Sequence, residues 1–146
     1  MNEHSNAIKK IPCAVYMRFS SNNQSDTSIE FQRNELLKYC SLHNYEIKEE
    51  FVDEAQTGTN DRRKAFQRMI GKSEENPEWK TILIYNYSRF SRNLMDSLFH
   101  IIKLQRMNIQ VISISEALAN DLYLSMIQQL FIFSKNQEFS IFLSKT

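Results

Sequence analysis

Val15-Tyr16-Met17-Arg18-Phe19-Ser20-Ser21-Asn22-Asn23-Gln24 is the stretch on which the reading of the fold turns. It begins as a β-strand. From Cys13 to Phe19, β-branched and aromatic residues are frequent, and apolar Val15, Met17 and Phe19 alternate with Tyr16 and Arg18. Short polar residues from Ser20 to Gln24 then favour a loop. Arg18 and Ser20 are two positions apart and point to the same side where the strand ends. In an open α/β sheet, that edge is where ligands bind.

The pattern repeats on either side. Strands are expected over about Glu46–Val52, ending at Asp53, then Thr81–Tyr85 and Gln110–Ile114. Thr27-Ser28-Ile29-Glu30 has the form of a capping box and starts a helix to about His43, with an apolar stripe of Ile29, Leu36, Leu37 and Cys40. Gln32 falls inside that stripe, where an amide is expected to bond nearby backbone. After Asp53 comes a loop in which Gly58 is expected at positive φ. Asp61 is expected to cap a helix over about Arg62–Ile70, and a surface loop from Gly71 to Glu78 ends at an anchoring Trp79. A further helix runs to about Met107. Strands alternating with helices predict an α/β fold, a mostly parallel four- to five-stranded sheet flanked by helices.

The last helix, about Asp121 to beyond Phe142, is apolar on more than one face, from Leu122 through Phe133. One sheet face covers only part of such a helix, so a partner subunit is expected to cover the rest. Three regions are therefore expected: a tail over residues 1–10, an α/β core over 11–118, and over 119–146 the start of a long interface helix. No stop signal precedes Thr146, so the helix reads as cut short.

Composition narrows the function. At 146 residues and 42% hydrophobic, the chain can bury one core. A net charge of +1 argues against a whole-face basic field, so contact with nucleic acid must be local. The only glycines, Gly58 and Gly71, cannot build a Walker loop or a dinucleotide fingerprint, which makes nucleotide chemistry unexpected. Cys13 and Cys40 read as small buried hydrophobes in a reducing compartment. With no signal-peptide pattern and no membrane-length apolar run, the expectation is a cytoplasmic chain.

Three strand ends carry Arg18 with Ser20, Asp53, and Arg89 with Arg92, and in a doubly wound sheet they share one crevice. Arg89 and Arg92, three apart at a helix start, are expected on one face, where cations oppose the helix dipole unless an anion binds. Arg62-Arg63-Lys64 repeats that violation at another helix start. The implied ligand is a phosphate, which guanidinium groups bind in a fork geometry. With Ser20 among them, the chemistry is nucleophilic attack on phosphorus. His4, His43 and His100 lie in the tail, at a helix end and mid-helix, so none is placed as the base. The arginines must then stabilise the developing charge, while Asp53 orients an arginine or relays a proton. No compact acidic or histidine set has metal-ligand spacing.

These motifs resemble the catalytic domain of the serine recombinases, the resolvase/invertase family that includes large serine integrases and transposon recombinases. The likeness covers about Ala14 to Glu138. It rests on Tyr16-Met17-Arg18-Phe19-Ser20 with Gln24, Ser28-Ile29-Glu30-Phe31-Gln32, Phe51-Val52-Asp53 with Thr57-Gly58, Asp61-Arg62, and Ser88-Arg89-Phe90-Ser91-Arg92-Asn93. The resemblance implies that Ser20 is the nucleophile, forming a 5′-phosphoserine link to DNA. It implies that Arg18, Arg89 and Arg92 hold the scissile phosphate, with Gln24, Asp53 and Arg62 completing the site. Gln32 and Glu138 would support it, and Arg63, Lys64 and Asn93 would contact DNA or its phosphates. It further implies double-stranded DNA as partner, a homodimer that assembles to a tetramer, and no metal, nucleotide, cofactor or membrane.

The chain departs from the family at Ser88, where many relatives have Asp. Glu116–Leu122 is shorter than usual, so a fifth edge strand is expected to be missing. Around Lys135–Lys145, Ser-Ile-Phe-Leu-Ser follows Glu138 where Arg is expected, and the resemblance leads one to expect a DNA-binding domain next, outside these residues. Two other classes stay open. A degenerate recombinase acting as an interaction domain predicts the same dimer without a DNA adduct. A phosphatase-like domain for small molecules predicts a closed pocket at Ser20.

Overall fold

Cys13 to Met17 are all buried, Tyr16 as completely as Val15. Strict alternation gives way here because a strand inside a parallel sheet is covered on both faces. The computed structural model describes residues 7–19, 28–54 and 63–134. The first strand, β1 (Ile11–Arg18), lies between β2 (Tyr45–Asp53) and β3 (Thr81–Ile84), and β4 (Gln110–Ser113) pairs with β3. All pairings are parallel, in the order β2-β1-β3-β4. Among the described residues the sheet therefore has four strands. Its direction of winding reverses between β1 and β3, and the register sets Arg18 beside Asp53.

Among the described residues, helix α1 (Ile29–His43) covers one face, packing Leu36 and Cys40 on Cys13, Val15, Met17 and Leu83. Helices α2 (Lys64–Ser73), α4 (Leu94–Arg106) and α5 (Ala117–Ser134) share the other face. There Phe66, Met69, Ile101, Leu104 and Ile127 meet Tyr16, Phe51, Ile82 and Ile84. One-turn α3 (Tyr87–Phe90) follows β3 directly. Cys13 and Cys40 are buried free thiols, as expected. Their mutual hydrogen bond, with burial, raises the Cys13 pKa.

Several boundaries differ from the sequence reading. The cap of α1 is Ser28, whose hydroxyl accepts from the amide of Phe31 at 3.1 Å. The expected Thr27–Glu30 box is therefore displaced by one residue, and Phe31 takes the place a reciprocating Glu would need. In the predicted stripe, Leu37 is 50% exposed. Helix α2 extends through Ser73, which places Gly71 inside the helix and shortens the expected loop. Trp79 does anchor that loop, buried with its Nε1 donating to Glu49 at 3.1 Å. Helix α5 begins at Ala117, four residues before Asp121, and is described to Ser134; the expected extension beyond Phe142 lies outside the described residues. It buries Ile127 while Leu118, Leu122, Leu124, Ile132 and Phe133 remain exposed. Among the described residues, no helix is long and apolar enough to cross a membrane.

Leu36 and Leu37 are neighbours in sequence but differ in burial, 0% against 50% exposed. Leu36→Ala should cost about 2–5 kcal/mol in urea unfolding. Leu37→Ala should cost no more than about 1 kcal/mol. Equal losses would contradict the placement of α1.

Candidate active site

The last residue of β1 is a junction. The carbonyl of Arg18 accepts from Gln32 Nε2 of α1 at 2.9 Å and from Arg89 Nη1 of α3 at 3.3 Å. Its side chain returns the contact: Nη2 donates to the Ser88 carbonyl at 2.6 Å and Nε to the Arg89 carbonyl at 3.3 Å. One residue on, the Phe19 amide donates to the Asp53 carbonyl at 3.0 Å. The chain is thus held from α1, α3 and β2 just before Ser20. Gln32 is fully buried and bonded to backbone, as the sequence led one to expect.

Asp53 ends β2 and caps α2 from outside that helix. Its Oδ1 accepts from the Ala65 amide at 2.9 Å, and Oδ2 accepts from the Phe66 amide at 3.0 Å and the Tyr16 hydroxyl at 2.7 Å. Helix α2 has no acidic residue in its first turn, and its N-cap residue, Arg63, makes no side-chain cap bond. The Asp53 carboxylate supplies both the acceptors and the negative charge that the helix end favours. The dipole violation at Arg62-Arg63-Lys64 is answered by this side chain, from a neighbouring strand. Burial, the largest influence, pushes the Tyr16 phenol above its ordinary pKa, so it stays a donor at neutral pH.

Arg63 adopts a left-handed conformation (φ 41°, ψ 55°). Its guanidinium lies 3.8 Å from the centroid of Phe66 and donates to the Phe90 carbonyl and, at 3.4 Å, to the Tyr16 hydroxyl. It therefore faces inward and joins α2 to α3. Lys64, the next residue, is exposed.

Arg89 and Arg92 do not share a helix face. Arg89 belongs to α3, and Ser91 is extended (φ −152°, ψ 158°), so the helix stops before Arg92. Arg89 is 4% exposed, whereas Arg92 is on the surface. The break follows from capping: Asn93 accepts from the Asp96 amide at 2.9 Å and starts α4 anew, with Asp96 as the acid of its first turn. Arg92 precedes that cap and so does not stand inside an unfavourable dipole. His100 packs edge-on against Phe66 and Phe90, nearer the site than its mid-helix position suggested. Burial lowers its pKa below 6.5, which keeps the ring neutral at pH 7.

Arg18, Gln32, Asp53, Arg63 and Arg89 are thus linked at one edge of the sheet, with Arg92, Asn93 and Lys64 on nearby surface segments. Ser20, Gln24, Arg62 and Glu138 lie outside the described residues, as do Gly58 and Asp61. Tyr16 was missed as a member of this cluster. Its signal was available: a tyrosine in a strand buried on both faces needs a partner for its hydroxyl. Among the described residues, no group of His, Cys, Asp or Glu is arranged to hold a metal ion.

A family model described as "Resolvase, N terminal domain" matches residues 13–139. The structure is similar to the N-terminal catalytic domain of TP901-1 integrase, with a TM-score of 0.66 and 26% identity over 87% of this chain and 98% of that one. A resolvase family site-specific recombinase from Streptococcus pneumoniae gives a TM-score of 0.63 at 22% identity, covering 94% and 100%. The C-terminal catalytic domain of ISC1926 TnpA, an IS607-like serine recombinase, gives 0.60 at 23% identity, covering 86% and 84%. The last two comparisons speak to fold alone. No curated protein matches the sequence.

Asp53 uses both carboxylate oxygens as acceptors. Asn offers a single acceptor oxygen, so Asp53→Asn should leave a donor unmet and cost about 1–3 kcal/mol in denaturant unfolding. An unchanged midpoint would show that the cap contributes nothing.

Proposed function

The chain belongs to the resolvase N-terminal domain family, and from that premise we propose that it cuts and rejoins double-stranded DNA through a serine nucleophile. Arg18, Asp53 and Arg89 meet at three adjacent strand ends, with Ser20 two residues beyond Arg18, and this convergence carries the reading. Ser20 Oγ attacks a backbone phosphorus, a P–Oγ bond forms, and the bond from phosphorus to the 3′ oxygen breaks. The proton that Ser20 Oγ gives up is balanced by the one gained at the 3′ oxygen, which leaves as a hydroxyl, and the 5′ phosphate stays on the serine. Reversal by a 3′ hydroxyl restores the phosphodiester without ATP, because the phosphoserine ester conserves its energy.

Arg89 and Arg92 hold the phosphoryl oxygens as negative charge builds in the transition state, where fixed donors are most effective. Arg18 joins them by exchanging its bonds to the α3 carbonyls for bonds to phosphate. Asp53 acts on α2 and Tyr16, holding the frame of the site. Gln24 and Arg62 complete the site, and Gln32 fixes the Arg18 carbonyl. Arg63 acts indirectly, by bracing α3, while Lys64 and Asn93 lie where the DNA backbone would pass. Glu138 supports the site. The exposed apolar residues of α5 meet a second copy, and two dimers join as a tetramer on DNA. The work requires no metal, nucleotide, cofactor or membrane, and its setting is the cytoplasm.

The chain, mixed with duplex DNA from the flanks of its own gene and denatured in SDS, should give a protease-sensitive adduct on 5′ ends. Ser20→Ala should abolish the adduct while leaving the circular dichroism spectrum intact. Cleavage by the Ala variant would defeat the mechanism. An absent wild-type adduct, with DNA bound, would favour a degenerate interaction domain.

A further inference from the structure

The turn that carries Arg89 cannot hold its own position. Helix α3 has four residues, too few for internal hydrogen bonds to offset the cost of ordering them, and Asn86 makes no side-chain cap bond. Its placement comes from its neighbours. On one side are Arg18 and Arg63. On the other is the start of α5, through contacts that the proposed chemistry does not use.

Glu116 Oε2 accepts from the Tyr87 amide at 2.8 Å, giving α3 the cap that Asn86 does not. The same oxygen accepts from the Ser113 hydroxyl at 3.1 Å, which ties it to the end of β4. Asn120 Oδ1 accepts from the Tyr87 hydroxyl at 2.7 Å and from the Ser113 amide at 2.9 Å, while its Nδ2 donates to the Ser113 carbonyl at 2.8 Å. One turn further along α5, Tyr123 packs on the Tyr87 ring with centroids 4.3 Å apart. Tyr87 is 8% exposed, and burial, the largest influence, raises the pKa of its hydroxyl, which remains a donor.

We infer that Glu116 and Asn120 are positioning residues that fix α3, and with it Arg89, to the first turn of α5. The inference rests on the proposed function for its consequence. Leu118 and Leu122, exposed on the same turns, lie on the face proposed to meet a second copy. A displacement of α5 on assembly therefore reaches the phosphate-binding turn through Tyr87, without passing through the sheet.

Tyr87→Phe in the 146-residue chain removes one hydroxyl and keeps the ring packing. By amide hydrogen exchange without DNA, the amides of Arg89 and Ser91 should exchange roughly five- to tenfold faster, as expected for one lost hydrogen bond. Amides of β1 and β3 should not change. Glu116→Ala should likewise speed exchange of the Tyr87 amide, and Glu116→Gln, which keeps a carbonyl acceptor, should restore it. On DNA, single-turnover cleavage by Tyr87→Phe should fall by a similar factor at unchanged DNA affinity. Unchanged exchange at α3, or an equal rise across the sheet, would overturn the inference. The exchange result is read without DNA, so it stands apart from the recombinase reading: a chain that forms no adduct would defeat that reading alone.

Discussion

The carbonyl oxygen of Arg18 is the point from which the site is built. It accepts from Gln32 on α1 and Arg89 on α3, while the Arg18 guanidinium reaches back to two carbonyls of α3. These bonds are mutually dependent. A buried guanidinium needs acceptors, a one-turn helix needs external anchors, and a carbonyl at the buried end of a central strand needs a donor. The direction in which the chain leaves β1 toward Ser20 is therefore set by three elements at once.

A second constraint lies beside it. Asp53 closes β2, caps α2 and receives the Tyr16 hydroxyl, so β1, β2 and α2 are joined through one carboxylate. Arg63 extends the connection to α3 by way of Tyr16 and Phe90. Glu116 and Asn120 add α5. The parallel sheet brings these groups together, and polar bonds at its carboxyl edge then fix their orientation.

The parallel α/β architecture could be read from the alternation of strand and helix patterns. Three of the candidate residues, Arg18, Asp53 and Arg89, could be placed from the rule that strand ends meet where the winding reverses. Most of what could not be read was set by contacts distant in sequence. Helix α2 is capped by Asp53 from a neighbouring strand, which local spacing does not reveal, and Asp61 lies outside the described residues. Arg89 and Arg92 look like one helical face until Ser91 is seen extended and Asn93 is seen capping a new helix. Tyr16 looks like the exposed side of an alternating strand until both faces are covered. Helix α5 starts earlier than its apolar pattern indicates because polar Glu116 and Asn120 face α3, where they are bonded rather than solvated. Tertiary hydrogen bonding overrode the local pattern at α2 and α5, burial on both faces did so at Tyr16, and a local cap at Asn93 separated Arg89 from Arg92.

The central claim of the proposed function is that Ser20, two residues beyond Arg18, is the residue that attacks DNA. Ser20 is followed directly by Ser21, with Ser25 close behind, so loss of activity in one variant does not by itself locate the bond. Mass spectrometry of the protease-digested covalent adduct would locate it. The account predicts a 5′-linked nucleotide on Ser20 and on no other side chain. A nucleotide on Ser21, on Ser25 or on any residue outside this loop would contradict it.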